Sequence, residues 1–322
     1  MKRLLHAAVI VLAGAAAALA HGQESYPGKP IRLIVGFPPG TATDIVARQV
    51  SERVGRNTGW TIIVENKVGQ AGSLGAAEVA QAAPDGYTLL LSANGPLATN
   101  PNLYNNVRYR TLQDFTPIAR LVELPYVLVV QASSPYRSVQ DVVAAAKAAP
   151  GKLNYSSPGS GSTGHLIAAT FAKQTDSQYT HVPYKGSAES LTGMLSGSID
   201  MLFETSVVTV PLVRAGKLRA LAVTTGKRVA SLPDVPTLKE AGVPLEMAAW
   251  LGIVGPANMP VEVTRRLNAE LDKALQAPDM KDNLARLGAE VSTASSGEFS
   301  AFLAREYDKW GQAVRDSGAR VE

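Results

Sequence analysis

Short β-rich apolar runs alternate with helix-like stretches along most of this chain, and that alternation restricts the fold more than any other feature of the sequence. The first strand pattern covers residues 31–35, and a helical pattern follows at 44–54. Strand patterns return at 61–64 and 87–91, with a small-residue helix at 73–82 between them. Because this order is typical of parallel strands joined by right-handed crossovers, we expect an α/β fold.

The alternation begins again near residue 125. Strands are expected at 126–130, 153–155, 179–182, 199–203 and 218–224, with helices at 139–149, 165–174, 187–195 and 208–215. After a strand at 250–254 the chain is mainly helical, over 261–276, 278–287 and 296–318. Since amphipathic helices need a sheet to pack against, we expect this last part to return to the first sheet.

These patterns predict two parallel-sheet domains joined by a hinge that the chain crosses twice. The first domain would comprise residues 26–125 and 226–322, and the second residues 126–225. Two crossings, near 120–127 and 222–230, leave little freedom to twist and suit closure over a ligand.

The N-terminal residues have the pattern of an export signal. Lys2 and Arg3 precede an apolar stretch, residues 4–19, which ends in Ala18-Leu19-Ala20. A membrane anchor is the alternative, but the stretch is short and ends in small residues. We therefore expect residues 1–20 to be a signal peptide that is cleaved after Ala20, leaving a periplasmic protein.

Composition excludes several classes of site. The chain has no cysteine, which excludes disulfides, thiolate metal sites and the lipid-modified cysteine of a lipoprotein. Its four histidines show no ligand spacing, so neither a metal nor a cofactor is expected. Without Lys2 and Arg3 the 31 basic residues become 29, against 27 acidic ones, a net charge of +2. The basic residues are scattered, so no nucleic-acid partner is expected.

Two loops between a strand and a helix carry the strongest site signals. Residues 159–164, Gly-Ser-Gly-Ser-Thr-Gly, fit the G-x-G-x-x-G pattern, but Lys185 stands where a dinucleotide fold needs an acidic residue. Such a loop can present backbone N–H groups and hydroxyls to an anion, or it can simply cap a helix. The second loop, residues 37–44, contains Phe-Pro-Pro-Gly and ends at Asp44, which is either an N-cap or a ligand contact. Because both loops follow parallel strands, we expect them to face each other across a ligand cleft.

An enzyme remains the alternative class. Residues 71–75, Ala-Gly-Ser-Leu-Gly, are a variant of the nucleophile elbow of hydrolases. A hydrolase also needs a histidine late in the chain, whereas His165 and His181 both come too early. Ser73 is more simply interpreted as a residue at the start of a helix, and no catalytic residue is assigned.

At these motifs the sequence resembles a known family, the substrate-binding receptors of tripartite tricarboxylate transporters, also called Bug or TctC-like receptors. The resemblance covers nearly the whole chain after the leader and includes FPPG at 37–40, PDGYTLL at 84–90, HVPYKG at 181–186 and LPDVPT at 232–237. Further matching segments are 26–35, Asp44, 64–67, 114–117, 150–155, 161–162, 165–166, 216–223, 241–243 and 250–252.

The resemblance implies a type II periplasmic-binding-protein fold without catalysis. Family ligands are tricarboxylates, dicarboxylates, acidic amino acids and aromatic acids. The implied partners are membrane permease subunits, with a sensor as the alternative, and the receptor is expected to be monomeric. The implied ligand-binding residues are Phe37, Pro38, Gly40, Thr41, Ala42, Thr43, Asp44, Ser92, Asn94, Ser157, Ser160, Gly161, Ser162, Thr163, His165, Tyr184, Lys185 and Glu204.

Two of these positions depart from the family pattern. Thr41 stands where a second glycine is common, and Glu204 where aspartate is common. The charged candidates Lys185, Asp44 and Glu204 have mixed sign, so we expect neutral donors rather than an arginine clamp to hold the acid. Lys185 is either a ligand contact or a solvated residue. If Glu204 faces the cleft, it would repel extra carboxylates and favour a ligand with an amine, a ring nitrogen or a hydroxyl.

Overall fold

The structure is a computed structural model that describes residues 26–286 and 288–319. The expected signal peptide, residues 1–20, lies outside the described residues. The strands are β1 (Ile31–Val35), β2 (Ile62–Asn66), β3 (Thr88–Ala93), β4 (Phe115–Leu124), β5 (Tyr126–Gln131), β6 (Asn154–Ser157), β7 (Thr180–Pro183), β8 (Met201–Thr205), β9 (Leu218–Val223), β10 (Ala249–Pro256) and β11 (Glu290–Val291).

The longer helices alternate with these strands over most of the chain. They are α1 (Ala42–Thr58), α2 (Ser73–Ala80), α3 (Val139–Ala148), α4 (Thr163–Gln174), α5 (Ser187–Leu195), α6 (Ser206–Arg214), α7 (Val261–Gln276), α8 (Pro278–Arg286) and α9 (Ser296–Ser317). Shorter helical turns cover Gln70–Gly72, Gly95–Thr99, Asn100–Leu103 and Thr111–Asp114.

Two sheets share one pattern of strand order. The first sheet runs β11-β4-β10-β3-β1-β2 and the second β7-β6-β8-β5-β9. In each sheet three parallel strands, the predicted ones, are followed by one antiparallel strand, β10 in the first and β5 in the second. In each sheet the antiparallel strand is the first one that forms after the chain has passed over from the other sheet. Because no helical crossover precedes it within its own sheet, it can enter in the opposite direction.

The sequence analysis did not predict β4, a ten-residue strand. Its sequence contains Pro117, Arg120 and Glu123, and its pairing with β10 shifts register twice. Bulges of this kind interrupt the two-residue alternation of buried side chains that a regular strand shows. The alternation on which the prediction relied is therefore missing from this strand.

The C-terminal part returns to the first sheet, as the amphipathic pattern predicted, because β10 inserts between β3 and β4. Helix α9 packs on β4 and also on α4, beside the second sheet. The fully buried rings of Trp250 and Trp310 both donate an Nε1–H to Glu306, at 2.9 and 2.8 Å. The bond from Trp250 joins β10 to α9 inside the core, the bond from Trp310 lies within α9, and together they satisfy both indole groups.

The chain passes from one sheet to the other between β4 and β5, and again between β9 and β10. The second passage is long, and residues 224–248 stay beside β9 for most of it. Val223 forms a bridge with Thr237, and the Met247 N–H donates to the Thr224 carbonyl at 3.0 Å. The domain boundaries at 125/126 and 225/226 stay predictions. No helix in the described part of the chain is both long enough and apolar enough to span a membrane.

Candidate functional site

The two predicted loops follow equivalent strands of the two sheets. The proline loop, residues 37–44, follows β1, and the glycine–serine loop, residues 157–164, follows β6. Both strands are parallel to their neighbours on either side, so other connections leave the same edge of each sheet. This edge is where open α/β sheets place their ligands.

The proline loop is held by hydrogen bonds of its own. Helix α1 begins at Ala42 with Thr41 as N-cap, which corrects the expectation that Asp44 takes that position. The Thr41 hydroxyl donates to the Pro38 carbonyl at 2.9 Å and accepts from the Asp44 N–H at 3.4 Å. Its hydroxyl is therefore used inside the loop.

Asp44 is buried and saturated with donors. Its carboxylate accepts from the Gly40 N–H at 2.9 Å, from Arg48 Nε at 3.1 and 3.0 Å, and from Asn66 Nδ2 at 2.9 Å. Burial opposes ionisation, but the bonds from Arg48, Gly40 and Asn66 outweigh it and lower the pKa of Asp44 to about 2. Asn66 also donates to the Phe37 carbonyl at 2.9 Å. Asp44 thus ties the loop, α1 and the end of β2 together.

The remaining predicted residues beside the first sheet differ in exposure. Pro38, Gly40 and Ala42 are exposed, Phe37 is half-buried, and Thr43 and Ser92 are buried. That these residues contact a ligand stays a prediction.

The glycine–serine loop is held by two histidines. The Ser157 hydroxyl lies 2.7 Å from His181 Nε2 and donates to the Gly159 carbonyl at 3.0 Å. The Gly161 N–H donates to His165 Nδ1 at 3.0 Å, so the proton of the neutral His165 ring is on Nε2. Ser160, at the tip of the loop, is exposed.

The two histidine rings are stacked. Their centroids are 3.9 Å apart and their planes differ by 5°, while Tyr155 stacks on His181 at 4.8 Å. Burial, together with the neighbouring His181, lowers the pKa of His165 to about 4, and burial also lowers the pKa of His181. Tyr155 and His181 are not among the predicted ligand-binding residues. Since the three rings come from different elements, no local spacing in the sequence signals their contact.

Two contacts join the sheets at this edge. Asn94 Nδ2, after β3, lies 3.3 Å from the hydroxyl of Thr163, the first residue of α4. Gly161 has φ +77°, and a Cβ built on it would lie 2.4 Å from Leu103 Cδ2. Only glycine combines that backbone conformation with so close a neighbour. The structure therefore brings Asn94 together with Thr163, and Gly161 together with Leu103.

Two predicted residues carry polar atoms that are buried without a partner. Eight side-chain atoms in residues 26–286 and 288–319 are of this kind, and Ser162 Oγ and Glu204 Oε2 are the two that belong to the predicted set. Ser162 is the N-cap of α4, but its hydroxyl does not bond to the helix. Glu204 Oε1 accepts from the Thr205 N–H at 2.8 Å. Buried polar groups normally have partners, so these two atoms are available to a ligand or to water.

The last two predicted residues lie after β7. Tyr184 is half-buried with its hydroxyl against Gly193, and Lys185 is exposed. The position of Lys185 at the end of β7 again places a cation where a nucleotide ribose would need an acceptor.

The geometry does not support the hydrolase alternative. Ser73 is buried, and its hydroxyl accepts from Asn100 Nδ2 at 2.8 Å and from the Tyr109 hydroxyl at 3.2 Å. Its bonding partners are thus an amide and a phenol, neither of which is the base that a hydrolase nucleophile needs. Within the described ranges, no group of three or more acidic, histidine or cysteine side chains could hold a metal ion.

A large cavity lies away from both loops. It has a volume of about 1190 Å³ and is lined by the ends of α3, α4 and α9, including Lys173 and Asp316. It is an open groove, and none of the predicted ligand-binding residues lines it. The candidate site is therefore distinguished by its polar chemistry and its place in the topology rather than by its volume.

Comparisons with known proteins agree with this architecture. BugT of Bordetella pertussis is 32% identical over 324 residues, which cover 100% of this chain and 99% of BugT. The structure of Rhodopseudomonas palustris Rpa4515 with adipate has 33% identity and a TM-score of 0.77, and covers 92% of this chain and 100% of its own. The structure of MatC of the same organism with bound malate has 30% identity and a TM-score of 0.73, and the match covers 90% of this chain and 100% of MatC.

The family comparison covers most of the chain. Residues 46–319 match the family described as tripartite tricarboxylate transporter family receptor, TctC. The type II fold that the resemblance implied is confirmed by the two sheets and by the related structures. With this match and the full-length relatives, the chain belongs to the receptor family of the tripartite tricarboxylate transporters.

Proposed function

We propose that this chain is an exported periplasmic receptor that captures a small carboxylate between the proline loop and the glycine–serine loop. The observation that carries this proposal is the buried hydroxyl of Ser162 at the N-terminus of α4, which has no hydrogen-bond partner in the part of the chain that the structure describes. A hydroxyl and free backbone N–H groups at a helix N-terminus are the donors that a carboxylate accepts from.

The charge at this helix end also favours an anion. The first turn of α4 has no acidic residue, whereas the first turn of α1 contains Asp44. A helix N-terminus carries roughly half a positive charge, which Asp44 compensates in α1. At α4 no acidic side chain of the first turn compensates this charge, so the charge can attract the carboxylate of the ligand. Neutral donors then hold the acid.

The related structures support a carboxylate as the ligand class, because Rpa4515 holds adipate and MatC holds malate. The receptor would pass its ligand to the membrane permease subunits of a tripartite tricarboxylate transporter and would act as a monomer without catalysis. Its two domains would comprise residues 26–125 with 226–322, and 126–225, and would close on the ligand as rigid bodies.

The test is a thermal-shift screen of the mature protein against a library of mono-, di- and tricarboxylates, followed by calorimetry. A ligand that binds only the folded state raises Tm by mass action. We expect at least one acid to bind with micromolar or lower Kd and to be recovered chemically unchanged. Failure of every acid to shift Tm would contradict the proposal, and conversion of the bound acid would favour the enzyme alternative.

A further inference from the structure

Glu204 is an acidic side chain at the end of β8 that the folded chain only half satisfies. Its side chain is buried, with the residue 3% exposed, and Oε1 accepts from the Thr205 N–H. Oε2 is buried as well and has no hydrogen-bond partner within residues 26–286 and 288–319. A carboxylate is an acceptor only, so its second oxygen can be satisfied only by a donor from outside this set.

The surroundings of Glu204 place it beside the proposed ligand site. A Cβ built on Gly164 would lie 2.6 Å from the carbonyl oxygen of Phe203, so the first turn of α4 packs directly on the end of β8. On the neighbouring strand β5, Tyr126 pairs with Thr205 and Val127 pairs with Glu204, and Tyr126 Cε1 would lie 3.7 Å from the Cβ built on Gly164. Thr163 in turn contacts Asn94 from the first sheet.

These contacts form one row across the junction of the sheets. The row runs from Asn94 to Thr163 and Gly164 at the start of α4 and then to the backbone of Phe203, the residue before Glu204, and Ser162 precedes Thr163 in the chain. Within the described residues the site therefore offers one unpartnered donor, the Ser162 hydroxyl, and one unpartnered acceptor, Glu204 Oε2. A ligand that satisfies both atoms needs an acceptor and a donor in the same small molecule.

We propose that Glu204 Oε2 selects carboxylic acids that also carry a hydrogen-bond donor, a hydroxyl or an ammonium group, close to the carboxylate. This inference rests on the proposed function and specifies the ligand class of the same site. An acid without a donor leaves Oε2 buried and unpartnered, and an acid with a second carboxylate at that point is repelled.

An isosteric variant can distinguish a ligand-selecting role of Glu204 from a purely structural one. In Glu204→Gln the side-chain oxygen can still accept from the Thr205 N–H, so the local bond of β8 is kept. The second position becomes an amide nitrogen, which donates rather than accepts. A structural role predicts little change in ligand preference, whereas a selecting role predicts its loss or reversal.

The experiment uses acid pairs that differ only by the donor: propionate with lactate, and succinate with malate and with aspartate. Calorimetry at pH 7 on the wild type should show the donor-bearing acid of a pair binding about tenfold or more tightly. In Glu204→Gln that ratio should fall below about threefold. The exposed Glu262 on α7 gives the matched control, since Glu262→Gln should keep the wild-type ratio.

Thermal unfolding of each variant checks that it folds, and Glu204→Asp, which keeps the charge but shortens its reach, provides a second folded variant with a reduced ratio. Preference for hydroxyl over ammonium, or the reverse, identifies which donor the site takes, and either supports the inference. Equal binding within each pair, or ratios that neither Glu204 variant changes, overturns the inference while leaving carboxylate binding intact. Binding of no acid at all overturns the proposed function and this inference with it.

Discussion

The proline loop and the glycine–serine loop occupy equivalent places in two sheets of the same strand order, yet they differ in how their polar groups are used. In the proline loop the carboxylate of Asp44 and the hydroxyl of Thr41 are both bonded within the loop and its supports. In the glycine–serine loop the bonds of Ser157 and His165 hold the backbone, and the hydroxyl of Ser162 has no partner among residues 26–286 and 288–319.

The difference teaches that topology alone does not tell which of two similar loops offers donors to a ligand. A loop whose donors and acceptors pair with each other is rigid and offers few free polar groups to a ligand. A loop with a buried unpartnered hydroxyl can contribute more to ligand binding than to the stability of the fold. The ionisable residues that support the two loops also titrate in different pH ranges, so lowering the pH should destabilise one loop before the other.

The largest expected effect concerns His165. Its pKa is about 4 in the folded chain and 6.5 for an unperturbed histidine, because burial and His181 disfavour the charged ring. The unfolded chain therefore binds the proton first, and stability falls as pH decreases from 6.5 to 4. A shift of this size corresponds to about 3 kcal/mol. Urea unfolding measured between pH 7 and pH 4 should show this loss in the wild type.

The matched variant for that experiment is His165→Asn, in which an amide oxygen can replace Nδ1 as acceptor for the Gly161 N–H. It should unfold with most of this pH dependence removed, and His181, whose pKa is also lowered by burial, should contribute to the remainder. An unchanged pH profile in the variant would show that His165 does not contribute to acid sensitivity.

The next effect concerns Asp44 and should appear at lower pH. The pKa of Asp44 is lowered from 3.8 to about 2, so the stabilisation is complete above pH 4 and is lost as pH falls towards 2. The expected loss is about 2.5 kcal/mol. Asp44→Asn should unfold more easily at pH 6 and should show a smaller further loss on acidification.

The comparison for Asp44 is the exposed Glu52 on the same helix, whose substitution by Gln should have almost no effect because exposed ion pairs contribute little. If Asp44→Asn and Glu52→Gln had equal stability, the bonds of Asp44 to Gly40 and Asn66 would not support the loop.

The sequence predicted the repeating elements well because they depend on local patterns. Helices α5 and α7 have the predicted bounds, and each three-strand parallel group was recognised from its alternation with helices. Strand β4 was missed since its bulges disturb the two-residue period. The antiparallel direction of β5 and β10 was missed because strand direction follows from where the chain arrives, which a local pattern does not contain.

The two strand-to-helix loops of the candidate site were predictable from the sequence, but the bonding partners of their side chains were not. Strand-to-helix loops rich in glycine, proline and serine indicated both loops from the sequence. The roles of single residues depend on partners distant in the chain: Asp44 on Asn66, and His165 on His181. Which hydroxyls are available to a ligand also depends on burial, because only the fold distinguishes the bonded hydroxyl of Thr41 from the unpartnered hydroxyl of Ser162.

The smallest expected effect tests the difference between the loops most directly, by removing one hydroxyl from each. Thr41→Ala removes the N-cap of α1 and should lower the free energy of unfolding by about 1 kcal/mol. Ser162→Ala removes a hydroxyl without a partner in the described residues, so it should change stability by less than about 0.5 kcal/mol. The same substitution should weaken carboxylate binding by about 1–2 kcal/mol, because the acid loses one donor.

A third serine provides the control for both measurements. Ser138 is the N-cap of α3, and its hydroxyl accepts from the Asp141 N–H at 3.1 Å, away from both loops. Ser138→Ala should therefore cost stability as Thr41→Ala does, about 1 kcal/mol, and leave carboxylate affinity unchanged. Calorimetry and urea unfolding give two values for each of the three variants, a carboxylate affinity and a free energy of unfolding. If Ser162→Ala lost stability but kept its affinity, the glycine–serine loop would use that hydroxyl for the fold, and the two loops would not differ in the way that their bonds indicate.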